Sequence, residues 1–214
     1  DTTDSDATDR TLTITTNGTG DVSFTGAVGD TGGLNGLTIS TNDFNAAALT
    51  VGGTISITNT GTSSDITGVI ANDGDAAVFT KAGAGTLTLS GTNTYTGVTT
   101  ISNGILSISN TLALGTTAAG TTVDSGAQLT IATGLTVAED INLSGTGVSS
   151  AGAIYSAGAI TLSGDINVVA TSTIITTGNL NFSGDVVKTS GNNATLTIST
   201  AAQLQFENTS TINA

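Results

Sequence analysis

The sequence predicts an all-β chain wound into a parallel β-solenoid, and three observations predict it. Short apolar-x-apolar triplets recur from end to end, the chain resembles itself at an offset of about twenty residues, and charge is nearly absent from a chain that is still 37% hydrophobic.

The triplets come first because they set the local structure. They run as Leu12 to Ile14, Val22 to Phe24, Leu37 to Ile39, Leu49 to Val51, Ile55 to Ile57, Leu87 to Leu89, Leu106 to Ile108 and Leu129 to Ile131. The series continues with Leu135 to Val137, Ile141 to Leu143, Ile160 to Leu162, Ile166 to Val168, Leu180 to Phe182, Leu196 to Ile198 and Leu204 to Phe206. Each carries Thr, Ser, Asn or Gln at its centre, so two large side chains share one face of an extended segment and a polar one takes the other. That is the signature of a short half-buried strand. No window carries an apolar stripe at helical spacing, and only Asn45 to Thr50 is expected to hold one helical turn.

Self-similarity arranges these strands. Ile160 opens ITLSGDINV and Leu180 opens LNFSGDVVK, which sets Leu162 against Phe182, Gly164 against Gly184 and Asp165 against Asp185. GTLTLSG at Gly85 and GILSISN at Gly104 are nineteen apart, and INLSG at Ile141 is offset by the same amount from ITLSG at Ile160. A unit of about 19–20 residues cannot enclose a core alone, but stacked units bury one continuous apolar column. Gly, Asn, Asp and Ser after each triplet supply the corners. Like charges on successive coils would lie about 4.8 Å apart and repel, which explains why charged residues are only 9% of the chain. Roughly ten coils would make a rod on the order of 50 Å long. A tandem immunoglobulin-like sandwich, the rival, would need longer strands and more aromatic plugs than two Tyr and five Phe supply. Residues 1–214 are therefore expected to form a single continuous solenoid segment, with residues 1–9 as an acidic start.

Composition excludes function classes. With no Cys and no His, there is no disulfide framework, thiol nucleophile, Ser-His-Asp triad or imidazole metal site. Arg10, Lys81 and Lys188 stand against sixteen acids, a formal charge of −13. That balance repels phosphate backbones and anionic headgroups, so neither nucleic acid nor a membrane surface is an expected partner. No spanning segment or signal peptide is present, and Met is absent, so the chain reads as a piece of a longer protein.

One stretch is more specific. From Thr80 the chain reads TKAGAGTLTLSGTNTYTGVTTISNGILSISN, which resembles the passenger-associated repeat of autotransporters, the type V secreted proteins of Gram-negative bacteria. The pattern falls on Lys81, Gly83, Gly85, Leu87, Leu89, Ser90, Gly91, Asn93, Thr94, Tyr95, Gly97, Thr100, Ile101, Gly104, Leu106 and Ile108, within residues 80–110. Phrases such as GDVSFTGAV, Gly20 to Val28, are similar to large secreted β-helical adhesins. The resemblance implies a right-handed parallel β-helix at the bacterial cell surface, associated with the outer membrane and acting in adhesion or aggregation. It implies partners among surface glycans, surface proteins or other copies of the chain, with the export signal and outer-membrane barrel outside these residues.

Candidate sites are few. Asp165 and Asp185 would stack on consecutive coils, the nearest approach to the paired carboxylates of a glycan-cleaving enzyme, but no Arg or aromatic accompanies them and Asp is also a good turn former. Oxygen ligands gather at Asp1, Asp4, Asp6 and Asp9 and at Asn72, Asp73 and Asp75. Calcium is the ion they would take, yet neither segment follows a known calcium loop, and solvated acidic turns account for both. Thr-x-Thr pairs at Thr11 and Thr13, Thr86 and Thr88, and Thr195 and Thr197 suggest a water-ordering ladder, which Asn142, Thr161, Asn167 and Asn181 are expected to break. Tyr95 reads as a structural plug. Asn-x-Ser/Thr triplets at Asn17, Asn142, Asn181, Asn193 and Asn208 follow from so Thr-rich a composition.

No catalytic, cofactor-binding or metal residue is assigned. The residues together with this resemblance favour a non-enzymatic extracellular segment, a rigid scaffold for adhesion or aggregation. The alternatives are a unit of a self-assembling surface layer or filament and a polysaccharide-active β-helix enzyme.

Overall fold

A computed structural model of the protein describes residues 10–29, 34–189 and 193–207 and the backbone of 212–213. These form a parallel β-solenoid of about nine turns. The Val148–Ser150 3-10 turn is the only helical segment among the described residues.

Each turn visits three walls. The first wall stacks Thr11–Thr15, Leu34–Thr41, the second half of Phe44–Asn59, Val78–Ala82, Thr99–Ile101, Thr121–Val123, Ile141–Gly145, the start of Ile166–Thr176 and Val186–Lys188, all parallel. The second stacks Val22–Val28, the start of Phe44–Asn59, Ser64–Ile66, Thr86–Leu89, Gly104–Ile108, Ala127–Ile131, Ile154–Ser156, the end of Ile166–Thr176 and Leu196–Thr200. The third runs through Ile70–Asn72 and then Thr136–Val137, Ile160–Leu162, Leu180–Phe182 and Leu204–Phe206.

Fourteen of the fifteen apolar triplets lie wholly in these strands, Leu135 falling just before Thr136–Val137, and their large residues take the inward parity, with Leu204 and Phe206 on the last third-wall strand left exposed. Leu162 pairs with Phe182 and Leu106 with Leu87, in the register that self-similarity predicts. On the first wall Ile39, Ile57, Lys81, Ile101, Val123, Leu143 and Val168 stand over one another. Buried hydrophobic residues from Val22 to Val186 form a single cluster. At about 1.5–3 kcal/mol per buried Leu, Ile or Phe, this column is the main stabilising term.

Coil length is less regular than the repeat suggests. The step from Ile39 to Ile57 is 18 residues and that from Leu143 to Val168 is 25. The longer coil carries the Val148–Ser150 turn, where Ser149 and Ser150 take positive φ of 50° and 61°. Such excursions from the corners reduce the expected ten coils to about nine.

Two expectations are corrected. Asn45 to Thr50 is not helical: it lies inside the Phe44–Asn59 strand, pairing with Val22–Val28 on one side and with Ser64–Ile66 and Ile70–Asn72 on the other. Ladder bonds on both edges override the helical preference of its three alanines. The INLSG and ITLSG phrases are not stacked either. Ile141 stands on the first wall against Ile166, and Ile160 stands on the third against Leu180. Every wall needs an apolar triplet followed by a small corner, so the phrase recurs within a coil as well as between coils.

Candidate functional site

The residues of the 80–110 stretch act on the interior. Lys81 takes an inward position between Ile57 and Ile101 and is fully buried. Its ammonium donates to the carbonyls of Ala82 at 2.8 Å, Gly83 at 2.9 Å and Asn103 at 3.2 Å, tying its own corner to the next coil's. Burial lowers its pKa to about 8, so it remains charged at neutral pH. Gly83 follows with φ of 77°, and a Cβ there would fall 2.3 Å from the Asn59 carbonyl oxygen of the coil below. Only glycine lets these corners stack.

Asn93 and Tyr95 sit where no third-wall strand runs between Ile70–Asn72 and Thr136–Val137. The Asn93 side chain substitutes for the missing ladder. Its Oδ1 accepts the Ile70 N–H at 2.8 Å from one neighbouring coil, and its Nδ2 donates to the Ala113 carbonyl at 2.5 Å on the other. Tyr95 is fully buried, stacks on Phe79 at 6.0 Å between ring centroids and bonds Thr99 Oγ1 at 2.6 Å, as expected of a plug. Burial pushes its phenol well above the ordinary tyrosine pKa.

Asp165 and Asp185 do stand on consecutive coils, and the Asp165 carboxylate is engaged in joining them. Asp165 Oδ1 accepts the Asp185 N–H at 2.8 Å, and Asp140 Oδ1 accepts the Asp165 N–H at 2.8 Å. The same device recurs where Asp43 N–H bonds Asp21 Oδ1 at 3.0 Å and Ser63 N–H bonds Asp43 Oδ1 at 2.9 Å. A corner carboxylate thus fixes the next coil's first amide. The Asn72-Asp73-Gly74-Asp75 segment is a tight turn: Asn72 Oδ1 accepts the Ala77 and Thr96 N–H groups, and Asp73 and Asp75 bridge across Gly74. Among the described residues no group of three or more acids gathers as metal ligands, and Asp1, Asp4, Asp6 and Asp9 lie outside them.

The Thr-x-Thr pairs do not form one ladder, since Thr13 stands on the first wall and Thr88 and Thr197 on the second, and Asn142 and Asn167 do interrupt the first-wall threonines; the first-wall row is polar throughout, however. On the first wall the central outward positions are Thr13, Thr38, Ser56, Thr80, Thr100 and Thr122, followed by Asn142 and Asn167. Thr161 and Asn181, which the sequence places in the same row, belong to the third wall. No charged side chain interrupts the row, and Asn142 Nδ2 reaches Thr122 Oγ1 at 3.4 Å along it.

Sequence reasoning missed Glu139. It faces inward and is 5% exposed, and its Oε2 has no hydrogen-bond partner. Burial, and secondarily the Asp140 charge, raise its pKa to about 7. An acid two residues before the apolar pair Ile141 and Leu143 has the parity of the buried face, a signal present in the sequence.

Residues 79–108 match the passenger-associated-transport-repeat family, and the Lys81, Gly83, Asn93 and Tyr95 constellation falls inside that match. No curated protein and no solved structure gives a significant match to the chain.

Proposed function

We propose that this chain is a non-enzymatic segment of an autotransporter passenger or related secreted adhesin, displayed at the bacterial surface as a rigid scaffold for adhesion or aggregation. The observation that carries the reading is the uncharged row from Thr13 to Asn167, presented on one wall of a rod that also contains a passenger-associated repeat. Hydroxyl and amide groups spaced at about 4.8 Å make contacts that are weak singly and add through repetition. Surface glycans, surface proteins or another copy of the same wall are the partners such a row suits. A bond from the Asp185 N–H to the Asp165 carboxylate supports a structural role for Asp165.

The test coats beads with the chain and measures their aggregation and their retention on glycan- and protein-coated surfaces. The parent is expected to aggregate or be retained. The double variant Thr80→Lys/Thr122→Lys is expected to lose most of that activity, while Thr88→Lys/Thr130→Lys on the second wall keeps it. Beads that stay inert with the parent chain, or first-wall variants that bind as well as the parent, would overturn the proposal.

A further inference from the structure

Among the described residues, four buried side-chain oxygens have no hydrogen-bond partner, and three of them stand on neighbouring segments of the winding: Thr116 Oγ1, Thr121 Oγ1 and Glu139 Oε2. All three precede first-wall strands, Thr116 and Thr121 on the coil of Thr121–Val123 and Glu139 on the next. Thr121 stands directly over Thr99 and beneath Ile141 in the first wall. Its N–H donates to the Asp140 carbonyl at 2.8 Å, which brings it against the Glu139–Asp140 segment. Thr116 N–H donates to the Tyr95 carbonyl at 3.0 Å, which places Thr116 one coil above the tyrosine.

Tyr95 completes the lining. Thr99 Oγ1 donates to the Leu114 carbonyl at 3.3 Å, which leaves it to accept from the Tyr95 hydroxyl at 2.6 Å. The tyrosine oxygen therefore retains acceptor lone pairs. Gly164 on the next coil packs on the Glu139 backbone, where any Cβ would collide with the carbonyl oxygen. The charges and titratable groups around the corner are Asp140 on the same segment, Asp165 bonded to Asp140 on the next coil, and the Tyr95 phenol. None is a cation that could pair with Glu139.

Three orphaned oxygens in a dry interior would each cost about 1–3 kcal/mol, a cost that a small polar molecule bonded to them removes. We propose that this corner is an internal water-binding site, in which Thr116, Thr121 and Glu139 hold one or more water molecules sealed between three coils. The donor and acceptor inventory fits: two hydroxyls and a protonated carboxyl can donate, and the Tyr95 oxygen accepts, within the two to four partners that a buried water takes. The carboxyl raised to about 7 keeps its proton under mildly acidic conditions.

Thr121→Val tests this, because the sign of its effect differs between a wet and a dry corner. If water is held there, the isosteric methyl removes one of its partners, and the thermal midpoint falls by about 2–4 °C, the shift expected for roughly 1 kcal/mol in a chain of this size. If the corner is dry, the same change deletes an unsatisfied hydroxyl, and the midpoint stays or rises. That outcome overturns the proposal. A crystal structure of the parent chain at about 1.5 Å gives the independent reading: solvent density within about 2.6–3.2 Å of both Thr121 Oγ1 and Glu139 Oε2 is expected, and its absence refutes the site.

Discussion

Lys81→Met removes a full charge from inside the column and keeps its volume, which makes the role of the passenger-repeat lysine measurable. The drop in lysine pKa from 10.5 to about 8 sets the cost of burying the ammonium at about 3 kcal/mol, at 1.36 kcal/mol per unit. Against this stand three hydrogen bonds from a charged donor, each contributing about 1.5–3 kcal/mol, of which the bond to Asn103 at 3.2 Å is the longest and weakest. The balance favours the native lysine by a few kcal/mol. Methionine escapes the desolvation cost but leaves the carbonyls of Ala82, Gly83 and Asn103 without their donor. The variant is expected to lose about 3 kcal/mol in urea-induced unfolding followed by far-ultraviolet circular dichroism, with little change in the native spectrum. A Lys81→Met chain as stable as the parent would show that the carbonyls find other partners and that the lysine is not a staple between coils.

Other positions give further expected outcomes. Asn93→Leu leaves the Ile70 N–H and the Ala113 carbonyl without their side-chain partner and should destabilise by about 2–4 kcal/mol in the same assay; a loss below about 0.5 kcal/mol would mean that the side chain does not replace the ladder. Gly83→Ala and Gly126→Ala both place a side chain at positive φ, but only at Gly83 does the new Cβ meet backbone. Gly126→Ala should cost about 1–2 kcal/mol and Gly83→Ala distinctly more; equal losses would remove the close-stacking argument. For Glu139 the folded chain holds its proton up to about pH 7 and the unfolded chain releases it near 4.5. Its contribution is therefore fully present below about pH 4.5 and is lost as pH rises to 7, about 3 kcal/mol in total. Unfolding free energies at pH 5 and pH 8 should converge in Glu139→Gln relative to the parent, and an unchanged difference would place the carboxyl in water.

The fold was legible wherever the interior is apolar. Alternation of Leu, Ile and Phe with Thr or Asn marks a strand on any wall, and the Leu162 to Phe182 step reveals the stacking directly. Strands went unread where a polar residue faces inward: Ser64 in Ser64–Ile66, Lys81 in Val78–Ala82, Thr99 in Thr99–Ile101, Thr121 in Thr121–Val123 and Ser156 in Ile154–Ser156 are all buried. An apolar-x-apolar pattern passes over them, because their parity is correct and their chemistry is not. The same blindness scrambled the outward row. Without the strands at Thr99–Ile101 and Thr121–Val123, the central threonines Thr100 and Thr122 cannot be assigned to the wall of Thr80, and Thr161 was borrowed from another wall to fill the gap. The passenger-associated repeat was readable from its Lys81, Gly83, Asn93 and Tyr95 spacing, but not what these residues do. That Asn93 spans three coils depends on which coils are neighbours, and this emerges only once the chain is wound.

The winding itself is open to direct measurement by pulsed electron–electron resonance on nitroxide pairs along the first wall. Labels at Thr38 and Thr122 lie four rungs apart, and labels at Thr38 and Asn167 lie six apart. At about 4.8 Å per rung, their backbone separations should be about 19 Å and 29 Å, far shorter than an extended chain between the same residues would span. Separations that do not grow with rung count would contradict the solenoid and, with it, every role assigned to its walls and corners.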